Sequence, residues 1–358
     1  MNLEYIYCDE IHYVNNHSSD RAKALYQLND IKMKIGATAT PITSNPANVF
    51  GIFNFLDKDL FETYTKFSKN YLKFIGRNRP PIPKNTDQLR EQIAPYILVK
   101  TSEEVASQLP KTTINQRFIQ MTSKMAEMNE QIMFELDAES KKSDMLEQRI
   151  PAYELDNNEE FQQCKAKIMA LQTFAQELVD SPRLLIESES NMSKQYYIEE
   201  ESPKLEVCME LIDEIINSGE KVCIFTKFER MQRILEEEIN KKFKKVKVAK
   251  INGKMDAAAR YVEAYDKFRD TNEYKILLGT DSMAEGINLS KCKYLIEYDI
   301  ANSYAIQTQR WGRLERADSV HTNVFVYQLI VEESWDQIQC KVVSKKQGYD
   351  TDIIKSLA

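Results

Sequence analysis

LLGTDSMAEGINLSKCKYLIEYD, residues 277–299, holds two short apolar runs, each closed by small, hydroxyl or charged residues. Runs of four to eight apolar residues bounded by turn signals read as buried strands. Working outward, VCIF (222–225), VKVAKI (246–251), ILLG (276–279), YLIEY (294–298) and VFVYQLI (324–330) repeat the pattern. The segments between them have helical period. FERMQRILEEEI brings Met231, Ile234, Leu235 and Ile239 to one face, and AAARYVEAYDKF does so with Tyr261, Val262, Tyr265 and Phe268. Strand alternating with helix predicts βαβ units and a parallel sheet covered on both faces. Residues 204–345 are therefore read as one doubly wound α/β domain, with 346–358 as a tail.

Residues 1–113 carry a fragment of the same pattern. YIYC (5–8) and KMKIGAT (32–38) read as strands, while RAKALYQLNDI (21–31) and PANVFGIFNFL (46–56) read as helices. Two strands make a poor parallel sheet, so this domain reads as incomplete. Residues 114–203 read as a helical insertion: SKMAEMNEQIMFEL and EEFQQCKAKIMALQTFAQELV have strong helical period, followed by a polar connector over 181–203.

The 358 residues are 42% hydrophobic and 29% charged, as in a soluble globular protein. No apolar run reaches the roughly 18 residues of a membrane span. Six cysteines without a CxxC pair and three scattered histidines argue against a zinc site and for free thiols in a reducing compartment. A net charge of −7 weighs against a uniformly basic nucleic-acid binder but not against a local basic face.

Four motifs carry the chemistry. In DEIH (9–12), Asp9 at a strand's carboxyl end suits Mg²⁺ on a nucleotide, Glu10 suits an attacking water, and His12 suits a link to a neighbouring element. A solvated acidic turn is the plain alternative. GATATPI (36–42) is a small-residue strand exit stopped by Pro41. QTQRWGRLERADS (307–319) contains Gln309, Arg313 and Arg316 stepping by four and three, which on a helix places all three on one face. Paired guanidiniums suit the dispersed charge of a transferring phosphoryl group, although a surface helix paired with Glu315 and Asp318 would look similar. Thr280, Ser282 and Gly286 offer hydroxyls and free amides to phosphate.

In this order and spacing the motifs resemble the Swi/Snf-related ATPases of helicase superfamily two, over nearly the whole chain. DEIH is similar to that family's motif II, GATATPI to motif III, FGIFNFLDKDLF (50–61) to its continuation, and residues 203–316 to motifs IV, V and VI. The resemblance implies two RecA-like lobes, the first incomplete and the second complete, that bind ATP and Mg²⁺ and track along double-stranded DNA. It assigns Asp9, Glu10, His12, Gln309, Arg313 and Arg316 to catalysis, and Asp9, Glu10, Gly286, Arg313 and Arg316 to the nucleotide. Thr226, Lys227, Gly253, Lys254, Thr280 and Ser282 fall to DNA, and Asp9 alone to the metal. Compactness resembles a bacterial or phage member, which implies a cytoplasmic setting.

One departure matters. None of the nine glycines belongs to a G-x-x-x-x-G-K-[ST] loop, and only eight residues precede Asp9. The resemblance therefore implies an N-terminal segment or partner polypeptide that carries the phosphate-binding loop, without which the chain is inactive. The alternative is a non-catalytic DNA-binding or regulatory module that retains the fold.

Overall fold

The computed structural model describes residues 3–28, 30–39, 41, 46–74, 81–100, 109–284 and 286–353. The chain divides into two units: Met1–Val105 with Ser303–Ala305 and Val342–Ala358, and Ala106–Asn302 with Ile306–Lys341.

In the first unit, β1 (Tyr5–Cys8) and α1 (Asp20–Tyr26) lead to β2 (Met33–Gly36), which pairs in parallel with β1 from Tyr5↔Met33 to Cys8↔Gly36. Ser19 caps α1 by accepting from the Ala22 amide. Then come α2 (Asn48–Leu56), α3 (Tyr64–Tyr71), a short antiparallel pair β3 (Leu72–Lys73) and β4 (Ile82–Pro83), and α4 (Thr86–Ile93). Phe50, Phe53, Phe61, Phe67, Leu89 and Ile93 form its core, against which Ile6 and Cys8 of β1 pack. The alternate positions on the strands, Tyr5, Tyr7, Met33 and Ile35, are exposed. One face of this parallel sheet is covered and the other is bare.

The second unit is built on a six-stranded sheet ordered β5-β10-β9-β6-β8-β7. Its strands are β5 (Lys111–Ile119), β6 (Val222–Phe225), β7 (Lys247–Ile251), β8 (Tyr274–Gly279), β9 (Tyr294–Glu297) and β10 (Asn323–Val331), all paired in parallel. The helices are α5 (Ser123–Arg149), α6 (Ala152–Leu155), α7 (Glu159–Asp180), α8 (Arg183–Ile186), α9 (Pro203–Asn217), α10 (Glu229–Lys242) and α11 (Ala257–Tyr261), which a π-helix, Val262–Arg269, continues; α12 (Tyr304–Trp311) and α13 (Trp335–Ile353) belong to this unit from residue 306 and up to residue 341, respectively. Val222, Ile224, Ile276, Leu278 and Ile296 point to one face, where α9 and α10 supply Leu205, Ile212, Met231 and Leu235. Cys223, Phe225, Leu277 and Leu295 point to the other, against Ala264, Phe268, Met283 and Leu314. Both faces are buried, which is the physical meaning of strands that read as continuous apolar runs. From β6 the chain departs toward β7, and from β9 it departs toward β10 on the opposite side. The adjacent tips of β6 and β9 therefore form the sheet's switch point, where open α/β sheets place their ligands.

Three sequence expectations change. The strand β5 joins the second sheet, so residues 111–113 do not close the first domain. Its Lys111, Ile114 and Phe118 are exposed, the mark of an edge strand without clear alternation. The polar connector over 181–203 is ordered and packed: Leu184, Leu185 and Tyr196 are fully buried, and Ser202 donates to the Val179 carbonyl oxygen. Helix α13 runs through Ile353 across the expected tail. Thr40 and Ile42 of GATATPI, and residues 75–80 and 101–108, lie outside the described residues.

Helix α2 crosses the 3-10 turn Ile11–Val14 so closely that a Cβ on Gly51 would lie 2.1 Å from the Asn15 carbonyl oxygen. Gly51→Ala is expected to lower stability by about 1–3 kcal/mol, as overpacking does. Gly253, where an added Cβ meets nothing within 4 Å, is expected to tolerate Ala. Urea midpoints of the two variants check this.

Candidate functional site

At the tip of β1 the chain turns sharply, with Glu10 in the left-handed region at φ 50° and ψ 47°. A non-glycine residue held there stores strain that the surroundings must hold in place. They do so by a backbone stitch: Ala37 donates to the Cys8 carbonyl and Ile11 donates to the Ala37 carbonyl, both at 2.9 Å. Asp9 Oδ1 accepts from the Glu10 amide at 3.0 Å, and its side chain faces solvent. His12 is buried, with Nδ1 3.1 Å from Glu10 Oε2 and 2.9 Å from Thr38 Oγ1. His12 thus bridges the Glu10 carboxylate and Thr38, just past β2.

In the second unit, the candidate DNA residues gather at the carboxyl ends of β6, β7 and β8. Thr280 and Ser282 face each other with hydroxyl oxygens 2.9 Å apart, and the Thr280 amide donates to the Ile251 carbonyl. Gly253 and Lys254 are exposed, and Lys254 Nζ lies 3.0 Å from the Glu229 carboxylate. Lys227 is half-buried, its amide donating to Asp299 Oδ2 at 2.6 Å. Thr226 is a correction. Its side chain is fully buried and its hydroxyl donates to Asp299 Oδ2 at 2.7 Å, so it holds the strand tip and presents no free hydroxyl to a phosphate.

The arginine motif also departs from its sequence reading. Helix α12 ends at Trp311, and Gly312, Arg313 and Leu314 form a turn. Gln309 is the motif's one member on the helix, so the three side chains do not share a helical face. Glycine disfavours helix continuation, and Leu314, fully buried, pulls the chain inward. Arg313 Nε donates to the Gln309 carbonyl at 3.1 Å and its Nη1 to the Ile287 carbonyl at 3.0 Å. The turn is thereby tied to the loop after Gly286, whose φ is +70°. Arg316 Nε is buried without a hydrogen-bond partner among the described residues.

Beneath these tips lies a buried charge cluster that sequence reading missed. Lys204 Nζ donates to Asp180 Oδ1 at 2.7 Å and to Asp336 Oδ2 at 2.8 Å, all three groups fully buried. Gln176 Nε2 spans Asp180 and Asp336, each at 2.9 Å. Burial, and then the neighbouring Asp299 charge, push the Asp180 carboxyl well above the ordinary carboxylate range. Asp299 falls to about 2: burial opposes its charge, but hydrogen bonding from Asp180 and the charges of Lys204 and Lys227 outweigh it. Asp180 Oδ2 is buried without a hydrogen-bond partner among the described residues. The signal available in sequence was an Asp closing an apolar helix face at Asp180, and another directly after YLIEY at Asp299.

Comparison with known proteins follows this geometry. The SNF2-related domain matches residues 1–184, and the helicase conserved C-terminal domain matches residues 203–318. The chain belongs to the SNF2-related family. It is 25% identical to a putative ATP-dependent helicase/translocase, YwqA, of Bacillus subtilis, over 97% of this chain and 35% of that protein. It is 22% identical to the ISWI chromatin-remodeling complex ATPase ISW1 of Saccharomyces cerevisiae, over 99% of this chain and 30% of that one. The chain thus spans about a third of the length of these relatives. Among solved structures, the Sulfolobus solfataricus SWI2/SNF2 ATPase core in complex with dsDNA aligns at a TM-score of 0.48 and 24% identity, over 99% of this chain and 69% of that one. Among the described residues, no helix is long and apolar enough to cross a membrane.

The cluster's protonation is testable. Asp299 contributes stability that is complete above its ordinary value of 3.8 and is lost as pH falls toward 2. Asp180 has the opposite sign: its contribution is present below the ordinary value and is lost as pH rises through its raised one. Asp180→Asn keeps an oxygen able to accept from Lys204 Nζ and is expected to be the milder change. Asp299→Ala, which unpairs the buried Thr226 hydroxyl and the Lys227 amide, is expected to cost about 3–5 kcal/mol. Denaturant titration of both variants at pH 7 checks the difference.

Proposed function

We propose that this chain is the rear part of an ATP-dependent double-stranded DNA translocase. The observation that carries the reading is the acidic tip: Asp9 and Glu10 in a strained turn stitched to Ala37, with the Glu10 carboxylate met by His12, which also meets Thr38, within a SNF2-related chain that also has Gln309, Arg313 and Arg316. A fold kept only for binding has no need of such a tip.

Magnesium fits this tip. No group of three or more His, Cys, Asp or Glu side chains able to hold a metal occurs among the described residues. A divalent ion carried on a triphosphate needs only one or two protein carboxylates, and Asp9 offers an exposed one. Bound Mg²⁺ would neutralise charge on the phosphates. Glu10 would accept a proton from the attacking water, with His12 fixing the direction of its carboxylate. Arg313 and Arg316 would contact the dispersed phosphoryl charge, and their permanent charge suits a partly desolvated position. Lys227, Gly253, Lys254, Thr280 and Ser282 would hold DNA phosphates. Contacts of that kind position a duplex without reading its sequence. Six free thiols, four of them buried, support a reducing, cytoplasmic setting.

The phosphate-binding loop is assigned to polypeptide outside these 358 residues, either a longer form of the same chain or a partner. The bare face of the β1–β2 sheet supports that assignment. Parallel strands are covered on both faces in α/β folds, and Tyr5, Tyr7, Met33 and Ile35 are left exposed here. A non-catalytic module is the second reading, favoured by the missing loop pattern.

Hydrolysis of ATP in the presence of duplex DNA separates the two. With the loop-bearing polypeptide present, wild-type protein is expected to turn over, and Glu10→Gln to lose about 10²-fold or more in kcat, the scale of a general base. Residues 1–358 alone are expected to show no turnover. Equal rates for wild type and Glu10→Gln would favour the non-catalytic module.

A further inference from the structure

Arg310 belongs to none of the roles assigned above, yet it is the largest fully buried side chain among the described residues. A guanidinium without solvent needs every donor directed and its charge matched. Here Nε and Nη2 both donate to Asp281 Oδ1, at 3.0 and 2.6 Å. The remaining nitrogen, Nη1, donates to the Asp299 carbonyl at 2.8 Å and to Glu297 Oε1 at 3.3 Å. The group lies 5.2 Å from the centre of the Phe225 ring. One side chain of α12 thus reaches the tips of β6, β8 and β9. Lysine, a point charge on a flexible stem, does not reproduce that fork.

The two ends of this bridge are informative. Asp281 opens the 3-10 turn Asp281–Ala284 between Thr280 and Ser282, the hydroxyl pair assigned to DNA phosphate. Arg310 lies beside Gln309, and its carbonyl accepts from the Arg313 amide at 3.2 Å. Asp281 is also the outermost partner, its side chain a third exposed, whereas Glu297 is fully buried. If the bridge were only internal glue, it would not need its firmest contact at the rim of the DNA-facing turn.

We infer that Arg310 is a positioning residue that couples the Thr280–Ser282 turn to the Arg313 turn, so that DNA engagement at one tip sets the arginine geometry at the other. This rests on the translocase reading. Breaking the bridge at Asp281 should leave hydrolysis without DNA intact and remove its response to DNA.

The test compares duplex-stimulated with basal ATP hydrolysis in the full protein with its phosphate loop present, alongside melting temperature. Asp281→Asn is expected to lower the stimulation ratio at least about fivefold, the lower range of measured couplings between sites, with basal rate within about twofold of wild type. Asp281→Glu, which can restore the charge pair, is expected to recover most of the ratio. If Asp281→Asn does not fold, Arg310→Lys, which keeps the buried charge without the fork, is expected to show the same selective loss. A stimulated wild type beside a variant with unchanged ratio, or with basal and stimulated rates reduced by one common factor, would overturn the coupling alone. A wild type without stimulation would overturn the translocase reading and the coupling with it.

Discussion

The second unit depends on how it neutralises charge at its switch point. Asp299 follows β9 and is fully buried, where an unpaired carboxylate would cost several kcal/mol. The Thr226 hydroxyl and the Lys227 amide satisfy its carboxylate, and Arg310 takes its carbonyl. Lys204, Asp180 and Asp336 continue the network into α9, α7 and α13. Helices far apart in sequence are thereby fixed to the same strand tips. An apolar cluster could fill the same volume, but it would not fix the direction in which backbone amides and side chains leave the sheet.

That constraint explains which parts of the fold were legible in the sequence. Strands β6, β8, β9 and β10 announced themselves because both faces of the sheet are buried along most of their length, so apolar residues dominate them. Strand β5 did not, because an edge strand with exposed Ile114 and Phe118 has no such requirement. The 181–203 segment reads as a polar connector, yet its Ser193 and Ser202 are buried as hydrogen-bonding groups. Ser193 bonds locally to the Leu185 and Ser190 carbonyls, but Ser202 reaches Val179 and the adjoining Lys204 reaches Asp336, 23 and 132 residues away. Local pattern carries no trace of such pairings.

The candidate site shows the same division. Asp9, Glu10 and His12 were legible because they sit within four residues at a strand exit, and His12 does reach the neighbouring exit at Thr38. Arg313 and Arg316 were legible as residue types but not as geometry, since the helix stops before Gly312. Arg310 was passed over because nothing in QTQRWGR distinguishes a buried arginine from one that faces a ligand. Thr226 was assigned to DNA by its place after a strand, and burial gave it to Asp299 instead.

The central claim is that the second unit's strand tips grip duplex DNA by its phosphates. Equilibrium binding of residues 1–358 to short duplexes of unrelated sequence, measured across a range of salt concentrations, tests it most directly. Release of condensed counterions predicts a linear fall of log affinity with log salt, about 0.9 per phosphate neutralised, with little dependence on sequence. Affinity that stays flat with salt, or that favours one sequence strongly over the others, would contradict the account.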